Sequence, residues 1–332
     1  MKHTILVTGG MGYIGYHVVK QLLTHKNINK IVVLDSCLYA ADTLDEFKNE
    51  KKLEIIKGDI RNIADLVKAI ENIDIVIALA AIVGDPACAL NEEETYSSNY
   101  HSTQLLVQLC NYYNIKRLIF ASSCSVYGES LNELNEGSKI NPLSLYAKTR
   151  IMSEEIIKKD SDNSLEWVIL RFGTVFGWSA RMRFDLVINF LTAKAYFEKN
   201  ITIIGGDQWR PFIHVHDIAR AVVLASLAKK NLVAKETFNV GDNRLNKQIK
   251  DLVKEIKTLI PKMKVHNTRL PSNDKRDYHV SFNKIQTILN FKAEHTIASG
   301  VKEIISHLQK KDIAYKEDKY YNVQYLYKYF KK

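Results

Sequence analysis

Three side chains stand where they could orient an alcohol and take its proton as it is oxidised: the hydroxyl of Ser123, the phenol of Tyr146 and the cation of Arg150. Ser123 lies in Phe120-Ala121-Ser122-Ser123-Cys124-Ser125-Val126-Tyr127-Gly128, directly after a predicted strand, so its hydroxyl is expected at the carboxyl edge of a sheet. Tyr146 and Arg150 sit four residues apart where a helix begins, which puts them on one helix face. A phenol with an ordinary pKa of about 10 becomes a useful base when a neighbouring cation stabilises its anion, and a serine hydroxyl can orient the same alcohol. Carbinol oxidation also needs a hydride acceptor.

The first turn of the chain supplies a place for one. Ile5-Leu6-Val7-Thr8 reads as a buried strand, Gly9-Gly10-Met11-Gly12-Tyr13-Ile14-Gly15 as a tight turn, and Val18, Val19, Leu22 and Leu23 as one face of the following helix. Gly9, Gly12 and Gly15 answer three steric needs: a sharp turn, approach of a pyrophosphate to the amides of Met11, Gly12, Tyr13 and Ile14, and close packing of helix on strand. A second strand, Ile31 to Leu34, ends in Asp35, whose carboxylate can accept both hydroxyls of an adenosine ribose. A 2′-phosphate would meet that negative charge, so the expected cofactor is NAD and not NADP.

These groups need a scaffold. Strands are predicted at Glu54 to Lys57, Ile73 to Leu79, Arg117 to Ala121 and Trp167 to Arg171, with helices at Ile63 to Ile70, Tyr100 to Tyr113 and Leu145 to Lys159. Strands alternating with helices imply right-handed crossovers and an α/β doubly wound parallel sheet. Beyond Gly177 the pattern becomes irregular, with helices predicted at Phe184 to Lys199, Asp217 to Lys229 and Lys247 to Leu259. The expected organisation is a cofactor domain over 1–175 and a smaller substrate lobe over 176–332.

Composition narrows the rest. The 332 residues carry a net charge of +10, from 47 Lys and Arg against 37 Asp and Glu, but the lysines are scattered and no basic block interleaved with aromatics marks a nucleic-acid track. The four cysteines, Cys37, Cys88, Cys110 and Cys124, lack zinc or disulfide spacing. No apolar run reaches the roughly 20 residues a membrane span needs, and Met1-Lys2-His3 leads straight into a core strand with no room for a signal peptide, so a cytoplasmic protein is expected.

The chain resembles the extended short-chain dehydrogenase/reductases, in particular the nucleotide-sugar epimerases and dehydratases, in Thr8 to Gly15, Asp35, Gly58-Asp59-Ile60, Ala78 to Ala81, Asn99, Ser122 to Gly128, Tyr146 to Arg150, Leu170 to Gly177 and Arg210 to Asp217. The resemblance implies a Rossmann-type fold with Ser123 and Tyr146 as the catalytic pair. It also implies Asp59 and Ile60 at the adenine, Leu79, Ala80 and Ala81 around the nicotinamide ribose, and Asn99 among the cofactor-binding residues. The family carries Lys where this chain has Arg150, which keeps the charge on a wider, planar group. Its 4,6-dehydratases carry Asp and Glu where this chain has Cys124 and Ser125. Without those carboxylates water elimination lacks its proton shuttle.

On the substrate side the resemblance implies that Arg210 and Arg276 grip a nucleotide diphosphate, with Arg181, Arg183, Asn189, Thr174, Ser123 and Ser125 lining the remainder. It further implies a homodimer paired through the helices Tyr100 to Tyr113 and Leu145 to Lys159 as a four-helix bundle. His214 and His216 alternate along a strand with no third ligand visible in sequence, so no metal is expected. The resulting expectation is NAD-dependent oxidation of a hexose or heptose nucleotide at C4, by a 4-epimerase or a 4-dehydrogenase of glycan precursor synthesis. The alternative is a non-catalytic NAD-binding regulator of the same fold.

Overall fold

A computed structural model of the chain describes residues 2–268, 276–310 and 313–331. Its strands are, in chain order, β1 (His3–Thr8), β2 (Ile28–Asp35), β3 (Leu53–Lys57), β4 (Ile75–Ala78), β5 (Arg117–Ser123), β6 (Glu166–Phe172), β7 (Thr174–Phe176), β8 (Asn200–Ile203), β9 (Trp209–His214), β10 (Glu236–Val240), β11 (Asn246–Gln248) and β12 (Lys264–Asn267). Seven of them form one sheet in the order β10-β6-β5-β4-β1-β2-β3. All six pairings are parallel. Strand order reverses between β1 and β4, the switch point outside whose carboxyl ends a doubly wound sheet binds its ligands.

The central strands are apolar on both faces because helices cover both. Ile5 and Val7 point with Ile31 and Val33 toward the helices Gly15–Thr24 and Val215–Leu227. Leu6, Val32 and Leu34 point the other way, toward Leu66, Ile70, Leu106 and Ile157 on the helices Ile63–Ile70, Ser102–Tyr112 and Leu145–Asp160. Each fully buried aliphatic side chain there contributes about 1.5–3 kcal/mol.

The chain passes back across the division expected at 175. β10 closes the large sheet beside β6, and Val215–Leu227 packs beside Gly15–Thr24. Phe238 and Val240, fully buried, cover a sheet edge that β6 would otherwise expose. The smaller lobe is built from β7, β9 and β11, the pair β8–β12, and the helices Val187–Glu198, Ile249–Leu259 and Ile297–Lys310 around Phe176, Phe212, Leu252 and Ile256.

Two local departures matter for the site. The helix predicted from Tyr100 begins instead with a wide π-turn, Ser97–His101, leading into Ser102–Tyr112. The tyrosine-rich C-terminus, assigned no element from sequence, forms a helix Asn322–Phe330 that returns to the large sheet, where Leu326 is fully buried against Ile82, Ala87 and Cys88.

Candidate active site

Backbone geometry makes the cofactor cradle. Gly9 adopts φ +74°, and a Cβ there would stand 2.7 Å from the amide nitrogen of Ala80; a Cβ on Gly15 would stand 2.1 Å from the Gly9 carbonyl oxygen. Substitution at either glycine therefore breaks the turn. The Gly12 N–H closes the turn on the Gly9 carbonyl at 3.1 Å. The Met11 N–H, expected among the pyrophosphate donors, is donated to Asp35 Oδ2 at 2.9 Å instead, because the turn folds back onto the end of β2. Asp35 Oδ1 accepts from the Cys37 N–H at 2.8 Å. Burial raises the Asp35 pKa, and the two backbone donors oppose that rise. An ionised carboxylate offers about four lone-pair sites, so two backbone bonds leave capacity for ribose hydroxyls.

Beside this turn lies a cavity of about 450 Å³. Gly9, Met11 to Gly15, Asp35, Asp59, Ile60, Leu79 to Ala81, Tyr146 and Arg150 all line it, so the cradle, the acid and the catalytic phenol share one space. Its volume suits a small-molecule ligand. Asn99 does not line it: its side chain is fully buried, with Oδ1 accepting from the Ile82 N–H at 2.8 Å and Nδ2 donating to the Ile82 carbonyl at 2.9 Å. It fixes the wall rather than touching the space, which corrects its expected role. Asp59 is held by Arg61 at 2.6 Å; burial works against the charge, but the bonds from Arg61 bring its pKa below the usual value.

The reacting groups come from two elements. Ser123 ends β5, and its Oγ accepts from the Ser125 N–H at 3.1 Å, capping the turn Cys124–Tyr127. Ser122 donates to buried Glu154 at 2.6 Å, and the alternation of a strand turns its neighbour Ser123 to the opposite side. The Ser125 hydroxyl is buried with no protein partner. The helix carrying Tyr146 starts at Ser144, whose Oγ accepts from the Ala147 N–H at 3.2 Å and donates to Asp85 at 2.6 Å.

Arg150, only 3% exposed, donates to the carbonyls of Ala121 at 3.2 Å and Asn99 at 3.4 Å. The π-turn leaves the Asn99 carbonyl facing this helix, where Ser153 also donates to it at 2.8 Å. The guanidinium lies 5.6 Å from the centre of the Tyr146 ring. Its charge favours the phenolate, as expected, but burial outweighs it and the Tyr146 pKa is raised. The net lowering of the phenol's pKa expected from its neighbouring cation is therefore not what the fold gives.

The expected substrate residues separate into three groups. Arg210 and Arg276 come together: Arg210 donates to the Arg276 carbonyl, and Arg276 pairs with Asp85 at 3.0 Å, linking the small lobe to the cap of the Tyr146 helix. Asn189 is fully buried and engaged by protein, donating to the Tyr13 hydroxyl at 3.0 Å and the Arg183 carbonyl at 2.9 Å and accepting from the Gly177 N–H at 3.0 Å. It ties loop to turn, and protein groups take up its amide where the resemblance implies a substrate contact. Arg181 and Arg183 line the cavity that holds Asp35 and Gly12, while Thr174 opens β7 opposite Phe212 of β9. Sequence reading missed Tyr39, Asn322 and Tyr329 in that same lining. The apolar spacing of Val323, Leu326 and Phe330 was the available signal for the last helix.

The paired histidines acquire a third. The ligating atoms of His214, His216 and His295 lie within 4.8 Å of one another, which corrects the expectation of only two. Both nitrogens of His214 are already committed: Nδ1 accepts from the His216 N–H at 3.3 Å, capping a helix, and Nε2 meets Glu303 at 2.9 Å. His295 is held by Asp217 at 3.1 Å.

The sequence profile of the NAD dependent epimerase/dehydratase family matches residues 5–241. An uncharacterised UDP-glucose epimerase of Bacillus subtilis, YtcB, is 34% identical over 71% of this chain and 76% of its own length. A UDP-glucuronate 4-epimerase of Thermodesulfobacterium geofontis is 29% identical over 91% and 94%. The crystal structure of the UDP-glucuronic acid 4-epimerase from Bacillus cereus, in complex with UDP-glucuronic acid and NAD, superimposes with a TM-score of 0.83 at 27% identity, covering 92% of this chain and 99% of that one. These relatives are enzymes and do not favour the regulator reading. With a Rossmann-type sheet, a glycine turn facing Asp35 and a profile match over most of its length, the chain belongs to the NAD dependent epimerase/dehydratase family.

Proposed function

We propose that the protein oxidises the C4 hydroxyl of a nucleotide-diphosphate hexose or heptose. The observation that carries this reading is that Tyr146 and Arg150 line the same cavity as the glycine turn and Asp35. Bound NAD+ supplies the hydride acceptor. Asp35 accepts the adenosine ribose hydroxyls, Ser123 orients the sugar hydroxyl, and Tyr146 takes its proton as general base. Arg150 holds the helix against the Ala121 and Asn99 carbonyls and favours the phenolate. Arg210 and Arg276 receive the substrate diphosphate, which guanidinium forks suit. Cys124 and Ser125 in place of carboxylates support a reaction that stops at the 4-keto stage or returns the hydride.

Incubation with a panel of UDP-, GDP- and dTDP-sugars, followed by proton NMR at C4, tests the reading. A C4 epimer with no net NADH identifies an epimerase, and stoichiometric NADH identifies a dehydrogenase. An unchanged panel overturns the proposal. The same reading has the enzyme in the cytoplasm, making glycan precursors as a homodimer paired through Ser102–Tyr112 and Leu145–Asp160. Tyr112, 78% exposed on the first of these helices, supports the pairing. A monomer in sedimentation velocity overturns it.

A further inference from the structure

Four arginines, Arg61, Arg150, Arg181 and Arg183, line the cofactor cavity; Arg61 is paired with Asp59 and Glu94, and Arg150 donates to two main-chain carbonyls. Arg183 makes a two-pronged pair with Asp185, at 3.0 and 2.7 Å. Arg181 is 95% buried, its relative exposure being 5%, and its Nε has no partner. Among the described residues its one hydrogen bond runs from Nη2 to Asn322 Oδ1 at 2.6 Å, a neutral acceptor. The guanidinium lies 4.3 Å from the centre of the Tyr39 ring, and the buried Tyr39 hydroxyl is likewise unpartnered. Burial first, and then the charge of Arg183, bring the Arg181 pKa down to about 10. A buried cation in that condition is costly unless an anion completes it.

The holder of Arg181 is the C-terminal helix. Asn322 donates from Nδ2 to the Val83 carbonyl at 3.2 Å while its Oδ1 takes Arg181. One turn on, Tyr325 donates to the Leu38 carbonyl at 2.5 Å, and its ring lies 5.3 Å from that of Tyr39. Leu326, Tyr329 and Phe330 continue along the cavity. The helix thus bonds both segments that follow the cofactor strands, Leu38 after β2 and Val83 after β4.

We infer that Asn322–Phe330 is a clasp over bound NAD, and that Arg181, positioned by Asn322 and Tyr39, is an anchor for the pyrophosphate. A diphosphate supplies the missing negative charge, and both the cofactor and the substrate contain one. The cofactor is favoured because Tyr39 belongs to the segment that follows Asp35, and because Arg210 and Arg276 are grouped elsewhere. A clasped cofactor leaves slowly and is reoxidised in place, which suits an epimerase. The inference rests on the reading of the cavity as an NAD site.

The test uses the full chain loaded with NADH, chased with excess NAD+, and follows the loss of bound NADH fluorescence. Asn322→Ala and Arg181→Lys should each raise the dissociation rate by about tenfold or more, as expected for loss of charge-assisted or supporting bonds, while UDP affinity by calorimetry stays within about twofold of wild type. Tyr325→Phe, which removes only the bond to Leu38, should give a smaller rise in the same direction and guards against a folding defect in the other two. Rates within about twofold of wild type in all three variants overturn the clasp. Weakened UDP binding with an unchanged NADH rate overturns the assignment of Arg181 and gives it to the substrate. Absence of NADH binding by the wild-type protein instead defeats the cofactor reading beneath it.

Discussion

The two long edges of the cofactor cavity are built in different ways. One edge, from Gly9 to Asp35, is a contiguous stretch of backbone whose turn is set by glycines that tolerate no Cβ and by a carboxylate that accepts two main-chain N–H groups. The other edge joins Tyr39, Arg181 and Asn322, residues far apart in sequence that meet through one ion-to-amide bond and one cation–π contact. Backbone-made sites survive most side-chain changes but not a change of glycine, whereas side-chain-made sites depend on each partner and on the packing that brings them together.

The largest effect is expected where neither edge can compensate. Tyr146→Phe should retain NADH binding and thermal stability yet lose roughly two to four orders of magnitude in hydride transfer, the range for removal of a general base. Single-turnover NADH formation on the best substrate of the panel checks this, and turnover like wild type would exclude Tyr146 as the base. Next comes the backbone edge. Asp35→Ala should weaken NADH binding by about 1–3 kcal/mol and narrow the preference over NADPH. Fluorescence titration with both cofactors measures it, and an unchanged ratio removes Asp35 from cofactor selection.

Arg150 lies between these cases, since it donates to two carbonyls as well as facing the phenol. Arg150→Lys should keep activity within about tenfold, because an ammonium retains the charge while losing the fork. Arg150→Ala should shift the rate profile toward higher pH, since the already raised Tyr146 pKa loses the larger of the two charges that oppose burial, Arg183 being the other. A pH profile identical in the alanine variant would show that Arg150 only braces the helix.

The smallest effect concerns the histidines below the Gly177 turn. Burial, and then the charge of neighbouring histidines, lowers the pKa of His17 to about 3 and of His216 to about 4. The unfolded chain, with a histidine value of about 6.5, binds protons that the folded state refuses, so this stability is full above that value and is lost as pH falls toward 4. His295 acts in the opposite sense: its bond to Asp217 raises its pKa, so its contribution is full below about 6.5 and is lost as pH rises through the raised value. Two lowered groups outweigh one raised group on the acid side. Tm should therefore drop between pH 7 and pH 5, and His17→Gln should shrink that drop by a few degrees. An equal drop in both proteins by scanning calorimetry would contradict the assignment.

The sequence by itself determined the parts whose physics is local. The order of strand, glycine turn, helix and acid placed Gly9, Gly12, Gly15 and Asp35 at one cavity, and the continuous apolar runs of β1 and β2, alternating with helices, made a parallel sheet covered on both faces. The helix Ile63–Ile70 was legible to its end residues because Asn62 caps it and its apolar face is periodic. What only the tertiary structure decided required partners distant in the chain. Asn99 and Asn189 carry amides that suit ligands, yet in the fold Ile82, Tyr13, Arg183 and Gly177 consume them. The balance of burial against charge at Tyr146, and the return of Asn322 to Arg181, likewise depend on how much water the packed elements exclude and on which groups they bring within bonding distance. Periodicity and spacing along a single chain do not contain that information, because it arises only once separate elements share one interior.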